Sequence, residues 1–290
     1  MGSSIGDIRS AASACADDIC LCATSAAEAQ ALLNTLAEFA NMERYLLHPN
    51  KSVHIKVSHK RSKASKDTCV MNNCELPTVQ RATHLGIIRT DSLSANQREN
   101  VEENFKKGRR ASYSLFGSGY RGHNGLNIST IVHLYLTYVT PVLLYGLELL
   151  LPTESMINKL ETFHRKCVKE ILQLPDNTAN CAIYLITGLL PIQAQVDICV
   201  LSFLHNICSL DESSIEKQIL IRQIHVKTID SNSWVTEIRK ILWKYELGSL
   251  EDIIEGMPSK FTWKTELYKA VNAYWSTKVN GSLKMHSILA

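Results

Sequence analysis

Asp17 and Asp18 stand side by side in the stretch 15–23, which reads as two short extended pieces around a tight acidic turn. At a hairpin tip, carboxylates can project from the end of a sheet with no strand packing around them. Clustered carboxylates bind magnesium, and two magnesium ions can clamp both oxygens of an in-line phosphoryl transfer. Turns also favour Asp for its own hydrogen bonding, so the pair taken alone decides nothing.

Basic residues form two further clusters. Lys51, Lys56, Lys60, Arg61, Lys63 and Lys66 fall within residues 51–66 with no acid among them. Lys106, Lys107, Arg109 and Arg110 follow one another on a helical stretch, with Arg121 beyond. Such clusters can neutralise phosphates, and Tyr113 and Tyr120 could stack on bases. A solvated face is the plain alternative, because a basic patch is only a footprint. At about 100° per residue, Lys106, Arg109 and Arg110 share one helix face and Lys107 lies to its side. A smaller basic face, His164-Arg165-Lys166 with Lys169, reads as surface.

Other chemistries find little support. The nine cysteines are odd in number and sit mostly among apolar neighbours, which predicts reduced thiols in an intracellular protein, cytoplasmic or nuclear. Cys20 and Cys22 alternate with apolar residues as one face of a strand. Cys69 and Cys74 come nearest to a metal pair, but no second pair or suitably spaced histidines accompany them. His84, His133 and His205 have apolar neighbours and read as core or boundary residues. Trp234, Trp243, Trp263 and Trp275 read as packing residues. No phosphate-cradling glycine loop, Ser-His-Asp set or Cys-His arrangement is found. The net charge of +3 permits a nucleic-acid partner without arguing for one. The longest apolar run, 138–151, contains Pro141 and Glu148, so no membrane span is expected. Residues 1–10 lack a secretory pattern, and the chain reads as beginning in mid-domain.

The elements that must position these residues change character along the chain. Ser25 and Glu28 form a capping box, and Leu32, Leu33, Leu36 and Phe39 follow at helical spacing to about Ala40. Val53, Ile55 and Val57 alternate as a half-buried strand. Asn72-Asn73 marks a hairpin turn between extended flanks, and residues 85–88 form another short extended stretch. From Ser94, with Gln97 as a second capping box, Val101, Phe105, Gly108, Ser112 and Leu115 recur at spacings of three and four. That predicts a long helix ending at Gly117-Ser118-Gly119. A second helix, 129–150, is bent at Pro141, and a third, 153–174, carries Met156, Leu160, Phe163, Cys167 and Ile171 on one face. Pro191 opens a further helix with Val196, Val200 and Phe203. Weaker helices are expected near 211–224, 232–246 and 260–277.

The order of short motifs adds a resemblance. Cys15-Ala16-Asp17-Asp18-Ile19 is similar to the aromatic-Ala-Asp-Asp box of reverse transcriptases. After a helix come Phe39-Ala40-Asn41-Met42-Glu43-Arg44-Tyr45 and His48-Pro49-Asn50-Lys51-Ser52, then Thr83-His84-Leu85-Gly86-Ile87. Next are Ala111-Ser112-Tyr113-Ser114-Leu115-Phe116-Gly117 with Gly125-Leu126, and Tyr138-Val139-Thr140-Pro141 leading to Leu144-Tyr145-Gly146-Leu147-Glu148. Leu160-Glu161-Thr162-Phe163-His164-Arg165-Lys166 and Leu174-Pro175 complete the series. Over about residues 10–210 the chain resembles the C-terminal part of a non-LTR retrotransposon reverse transcriptase.

The resemblance implies an α+β fold: part of a polymerase palm at residues 1–90, a helical thumb at 91–175, and a further helical region at 176–290. It implies that Asp17 is a metal-binding carboxylate with Asp18 beside it, for Mg2+. Lys51 would lie near the incoming nucleotide's phosphates, and Gly86 would fall in the hairpin that grips the primer. The thumb, with Lys106, Lys107, Arg109, Arg110 and Arg121, would hold an RNA–DNA or DNA duplex; an RNA template and deoxynucleotides are the other implied partners. Two departures stand out. Cys15 replaces the usual Tyr or Phe, and the family's first metal-binding aspartate belongs to a strand upstream of Met1. The expectation is therefore a polymerase fragment inactive by itself. The alternative is a non-catalytic module that binds nucleic acid or protein.

Overall fold

The structure is a computed structural model that describes residues 2–57, 68–119 and 126–288. Lys60, Arg61, Lys63, Lys66, Tyr120, Arg121 and Gly125 lie outside the described residues. The fold is α+β, and among the described residues the strands form four separate two-stranded antiparallel sheets. Two compact units are present, residues 1–99 with 212–221, and residues 100–211 with 222–290. Of the segments read as thumb and as C-terminal region, residues 91–99 and 212–221 belong to the first unit and the rest to the second.

In the first unit, β1 (Ser3–Ile5) and β2 (Ile8–Ser10) make one hairpin, and β3 (Ala12–Cys15) and β4 (Asp18–Leu21) a second. Helix α1 (Ala26–Glu43) follows, three residues longer than its apolar pattern suggests. Ser25 caps it by accepting from Glu28 N at 3.2 Å. The reciprocal half of the box is displaced, because the Glu28 carboxylate accepts from Thr24 N (2.8 Å) and Gly2 N (2.5 Å). These bonds hold its carboxyl below the usual range.

Pro49–Lys51 forms a single 3-10 turn. The expected strand at 53–57 is absent: His54 makes one isolated bridge to Thr78, and Val53 and Val57 are exposed. Alternating side chains make a strand only where a partner supplies the ladder. Strands β5 (Val70–Met71) and β6 (Cys74–Glu75) flank Asn72 (φ 50°) and Asn73 (φ 61°), the positive-φ turn that Asn tolerates. The Gln30 side chain clamps β5 to α1, donating to Val70 O (2.8 Å) and accepting from Val70 N (2.7 Å). Cys69, Met71 and Leu76 form the small core beneath, with Ala29, Leu33 and Leu47.

Residues 85–88 are not one extended stretch. Leu85 (φ 50°) and Gly86 (φ 75°) turn the chain between β7 (Arg81–His84) and β8 (Ile87–Thr90). Helix α2 (Leu93–Gly117) then begins one residue before Ser94, capped by Ser92, whose Oγ accepts from Ala95 N at 3.3 Å.

The second unit is helical. The predicted face of α2 is buried at Val101, Gly108, Ser112 and Leu115. Gly108 permits a close crossing, since a Cβ there would meet Leu143 Cδ1 at 2.9 Å. The second predicted helix is three pieces: α3 (Ile128–Tyr138), α4 (Thr140–Leu144) and α5 (Leu147–Leu150), broken around Val139 and at Gly146 (φ 73°). Pro141 stands in the first turn of α4, so it starts a helix rather than bending one. Ile128–Leu150 is long and apolar enough to cross a membrane, but Ile131, Tyr135, Val139, Leu143 and Leu147 are buried inside this unit.

Helix α6 (Glu154–Leu172) packs Cys167 and Ile171 against α3 and the end of α2. Its Val168 joins a second cluster with Val132, Ile183, Tyr184 and Leu189. Ile183 and Tyr184 belong to α7 (Asn180–Thr187). Helix α8 (Ile192–Cys208) is central, with Ile192, Val200, Leu201 and Leu204 inaccessible to solvent. Helices α9 (Ile215–Val226), α10 (Trp234–Lys244), α11 (Leu250–Glu255) and α12 (Lys260–Ile288) complete the chain. Short α7 and α11 were not anticipated, whereas the three weak helices expected after 210 are present.

Candidate functional site

Cys15 pairs with Asp18 in the β3–β4 hairpin, so the two turn residues are Ala16 and Asp17. Ala16 takes the left-handed conformation (φ 55°) that a two-residue turn demands. Asp18 opens β4 rather than sharing the turn, and both carboxylates are exposed. Lys51 ends the 3-10 turn, and Gly86 sits at the tip of the β7–β8 hairpin; both are exposed. Asp17, Lys51 and Gly86 thus occupy turns of one unit, with Asp18 at the start of β4 in the same unit. Among the described residues, no hydrogen bond or ion pair joins one of them to another.

A two-metal centre draws carboxylates from more than one strand. Among the described residues, no group of three or more His, Cys, Asp or Glu side chains could hold a metal ion. Asp17 and Asp18 bring two carboxylates from one hairpin.

The basic stretch of α2 has a defined geometry. Lys106, Arg109 and Arg110 are exposed together, one turn above exposed Tyr113. The Arg109 guanidinium lies 5.5 Å from the Tyr113 ring centroid and 5.8 Å from that of Phe105, which preorganises it along the helix. Lys107 lies to the side, half-buried, with Nζ 4.0 Å from Glu103. Lys159 of α6 pairs with Glu102 and sits over Phe105. Phe105 in turn meets Phe163 edge-on at 5.3 Å. The result is a positively charged face with one exposed ring, backed by packed aromatics.

No protein-family model matches the chain, and neither a curated protein nor a solved structure does.

Two buried polar networks in the second unit escaped sequence reasoning. Glu161, 4% exposed, accepts from Arg165 Nε (2.9 Å), from the Tyr184 hydroxyl and from Ile192 N (2.6 Å). It joins α6 to α7 and to the start of α8. Beside it His164 is fully buried, its Nδ1 bonded to the Tyr135 hydroxyl at 2.8 Å and its Nε2 without a partner among the described residues. Burial pushes its pKa down to about 4. The expected basic face at 164–169 is thus corrected: His164 is core, Arg165 is paired, and Lys169 is buried with Nζ donating to Asp176 O at 2.6 Å. A helix with neighbours on two sides buries more than one stripe. The Glu161–Arg165 spacing of four was visible in the sequence; Tyr184 and Ile192 carried no signal.

The second network centres on Asp197, 1% exposed. It accepts from Lys244 Nζ, the Tyr245 hydroxyl and Gln193 Nε2, each at 2.7 Å. Lys244 Nζ lies 4.8 Å from the Tyr245 ring centroid and 5.1 Å from that of Trp275. Burial first, then Asp197, raise the Tyr245 phenol above its ordinary range. Both networks close on themselves and act as clamps between helices. Trp263 and Trp234 pack as expected, donating to Leu201 O (3.1 Å) and Glu148 O (2.8 Å). Trp243 does not: it is 84% exposed, on the rim of a groove with Lys244 and Tyr274. Among the histidines, His205 is buried but His133 is exposed.

Proposed function

We propose that this chain is part of an RNA-directed DNA polymerase of the non-LTR retrotransposon kind, and that within it α2 holds the template–primer duplex by its phosphates. The observation that carries the reading is the exposed face of Lys106, Arg109, Arg110 and Tyr113 on a helix whose opposite side is buried. The Ala16-Asp17 hairpin tip, with Asp18 behind it, supports the same reading. Phosphate contacts release counterions, so duplex affinity falls with salt at a log–log slope of roughly −0.9 per phosphate neutralised on B-form DNA. Replacing Lys106, Arg109 and Arg110 by Ala is expected to flatten that slope by about two to three units, since each removes one contact. The change is expected to be alike for unrelated sequences, because phosphates carry no base information. Salt titrations of DNA and RNA–DNA duplex binding by both proteins decide it, and equal slopes would reduce the cluster to a solvated face.

The second reading is a non-catalytic module. It is favoured by the lack of a third carboxylate beside Asp17 and Asp18 among the described residues. These 290 residues alone are expected to extend no primer with Mg2+ or Mn2+. Templated extension above a blank that is abolished by Asp17→Asn would overturn that expectation. Duplex binding without extension is common to both readings; binding lost together with the α2 charges favours a nucleic-acid role over a protein-interaction role.

A further inference from the structure

Helix α12 has one buried and one open side. Trp263, Leu267 and Val271 recur every four residues and are buried, Trp263 against α8. On the other side Phe261, Thr265, Tyr268 and Asn272 recur at spacings of four, three and four, and all are exposed. That spacing sets them in one stripe along the helix. The Phe261 ring is 81% exposed and that of Tyr268 41%. At 1.5 Å per residue the two rings stand about 10.5 Å apart along the axis. Thr265 and Asn272 turn their donors back to Phe261 O (2.9 Å) and Tyr268 O (2.7 Å), so the rings stand clear of them. Exposed Lys264 and Lys269 flank the stripe, one on each side. Lys264 Nζ lies 5.9 Å from the Tyr268 ring centroid. Over residues 260–278 four lysines stand against one acid, Glu266.

We propose that this face of α12 is a stacking platform for single-stranded nucleic acid. One base lies on Phe261 and another on Tyr268, with phosphates beside Lys264 and Lys269. The bases of a single strand have open π-faces, and rings interleaved with positive charge track such a strand without regard to its sequence. A duplex stacks its bases on one another, so it would meet only the lysines. A lipid surface or an amphipathic partner helix requires a continuous apolar face. Here Thr265 separates the two rings and Asn272 follows the second, so the stripe is not continuous. The excess of lysine over acid has the sign that a phosphate backbone requires. The platform is on a different helix from Lys106, Arg109 and Arg110, takes a single strand rather than a duplex, and does not rest on the polymerase reading.

Its test is fluorescence anisotropy of the full chain with a labelled oligothymidylate and with an abasic backbone of equal length. Wild-type protein is expected to bind the oligothymidylate more tightly, a readout that needs no variant. Phe261→Ala and Tyr268→Ala are each expected to weaken oligothymidylate binding by about fivefold or more, the lower end of what one stacked base contributes. Phe261→Tyr and Tyr268→Phe keep a ring and are expected to keep the affinity. Duplex affinity is expected to be unchanged by either Ala variant. The ring dependence is expected to persist when Lys106, Arg109 and Arg110 are replaced by Ala, so failure of the duplex reading leaves this test standing. Equal affinity for the two oligonucleotides, or wild-type affinity in both Ala variants, would overturn the platform. So would a loss in the ring-keeping variants equal to that in the Ala variants, or Phe261-dependent binding to phosphatidylserine vesicles with no affinity for the oligothymidylate.

Discussion

Glu161→Ala is expected to destabilise the helical unit by about 3–5 kcal/mol, the usual cost of removing one partner from a buried ion pair. The carboxylate receives three donors from three places: Arg165 one turn on, the Tyr184 hydroxyl on α7, and Ile192 N at the first turn of α8. Truncation leaves a buried backbone N–H and a buried phenol without an acceptor, each costing about 1–3 kcal/mol. Arg165 adds less, because a third of its side chain is exposed and water can replace the carboxylate. Glu161→Gln keeps acceptor oxygen but turns an amide N–H toward one of the donors, so its loss is expected to be smaller than that of the Ala variant. All four tryptophans of the chain, at 234, 243, 263 and 275, lie in this unit. Urea unfolding followed by their fluorescence therefore reports on it directly. A loss below about 1 kcal/mol for Glu161→Ala, the level of an exposed pair, would show that water reaches the network and that the clamp is not closed.

Acidification is expected to weaken the same unit through His164. Its folded pKa lies near 4 against an ordinary 6.5, because burial disfavours the charged ring more than Glu161 favours it. Between those two values the unfolded chain binds the extra proton and the folded chain does not. Stability therefore rises with pH across the window; the contribution is complete above about pH 6.5 and lost as pH falls to about 4. A separation of that size corresponds to about 3 kcal/mol. His164→Gln keeps a neutral hydrogen-bonding side chain for Tyr135 and cannot titrate. Urea midpoints measured from pH 7 to pH 4 are expected to fall more steeply for the wild type than for this variant. Parallel profiles would show that His164 does not govern the response and would leave it to the carboxylates.

Local chemistry made parts of this structure legible in advance. Asn72-Asn73 was readable as a turn because Asn accepts positive φ, and both residues adopt it. The stripe Val101–Phe105–Gly108–Ser112–Leu115 predicted the inward face of α2, and all of it is buried except Phe105, which is half-buried. Lys106, Arg109 and Arg110 fell on one exposed face because helical geometry alone sets their relative directions. The turn read at Asp17-Asp18 lies one residue earlier, at Ala16-Asp17.

Features that depend on a distant partner were not legible. Val53, Ile55 and Val57 have the alternation of a strand, yet they find only the bridge at His54. Leu85-Gly86 looked extended because nothing in an apolar run reveals a positive φ. His164-Arg165-Lys166 looked like a charged surface, but α6 is covered on two sides, and Tyr135, Tyr184 and the N-terminus of α8 arrive from 29, 23 and 31 positions away to satisfy its polar groups. The sequence by itself determined turns, helix periods and the run of chemical side chains, since each depends on neighbours within about one or two turns. The tertiary structure alone decided which charges are clamped in the core and which face water. Burial of a charge is tolerated only where remote donors converge on it, and no local pattern records that convergence.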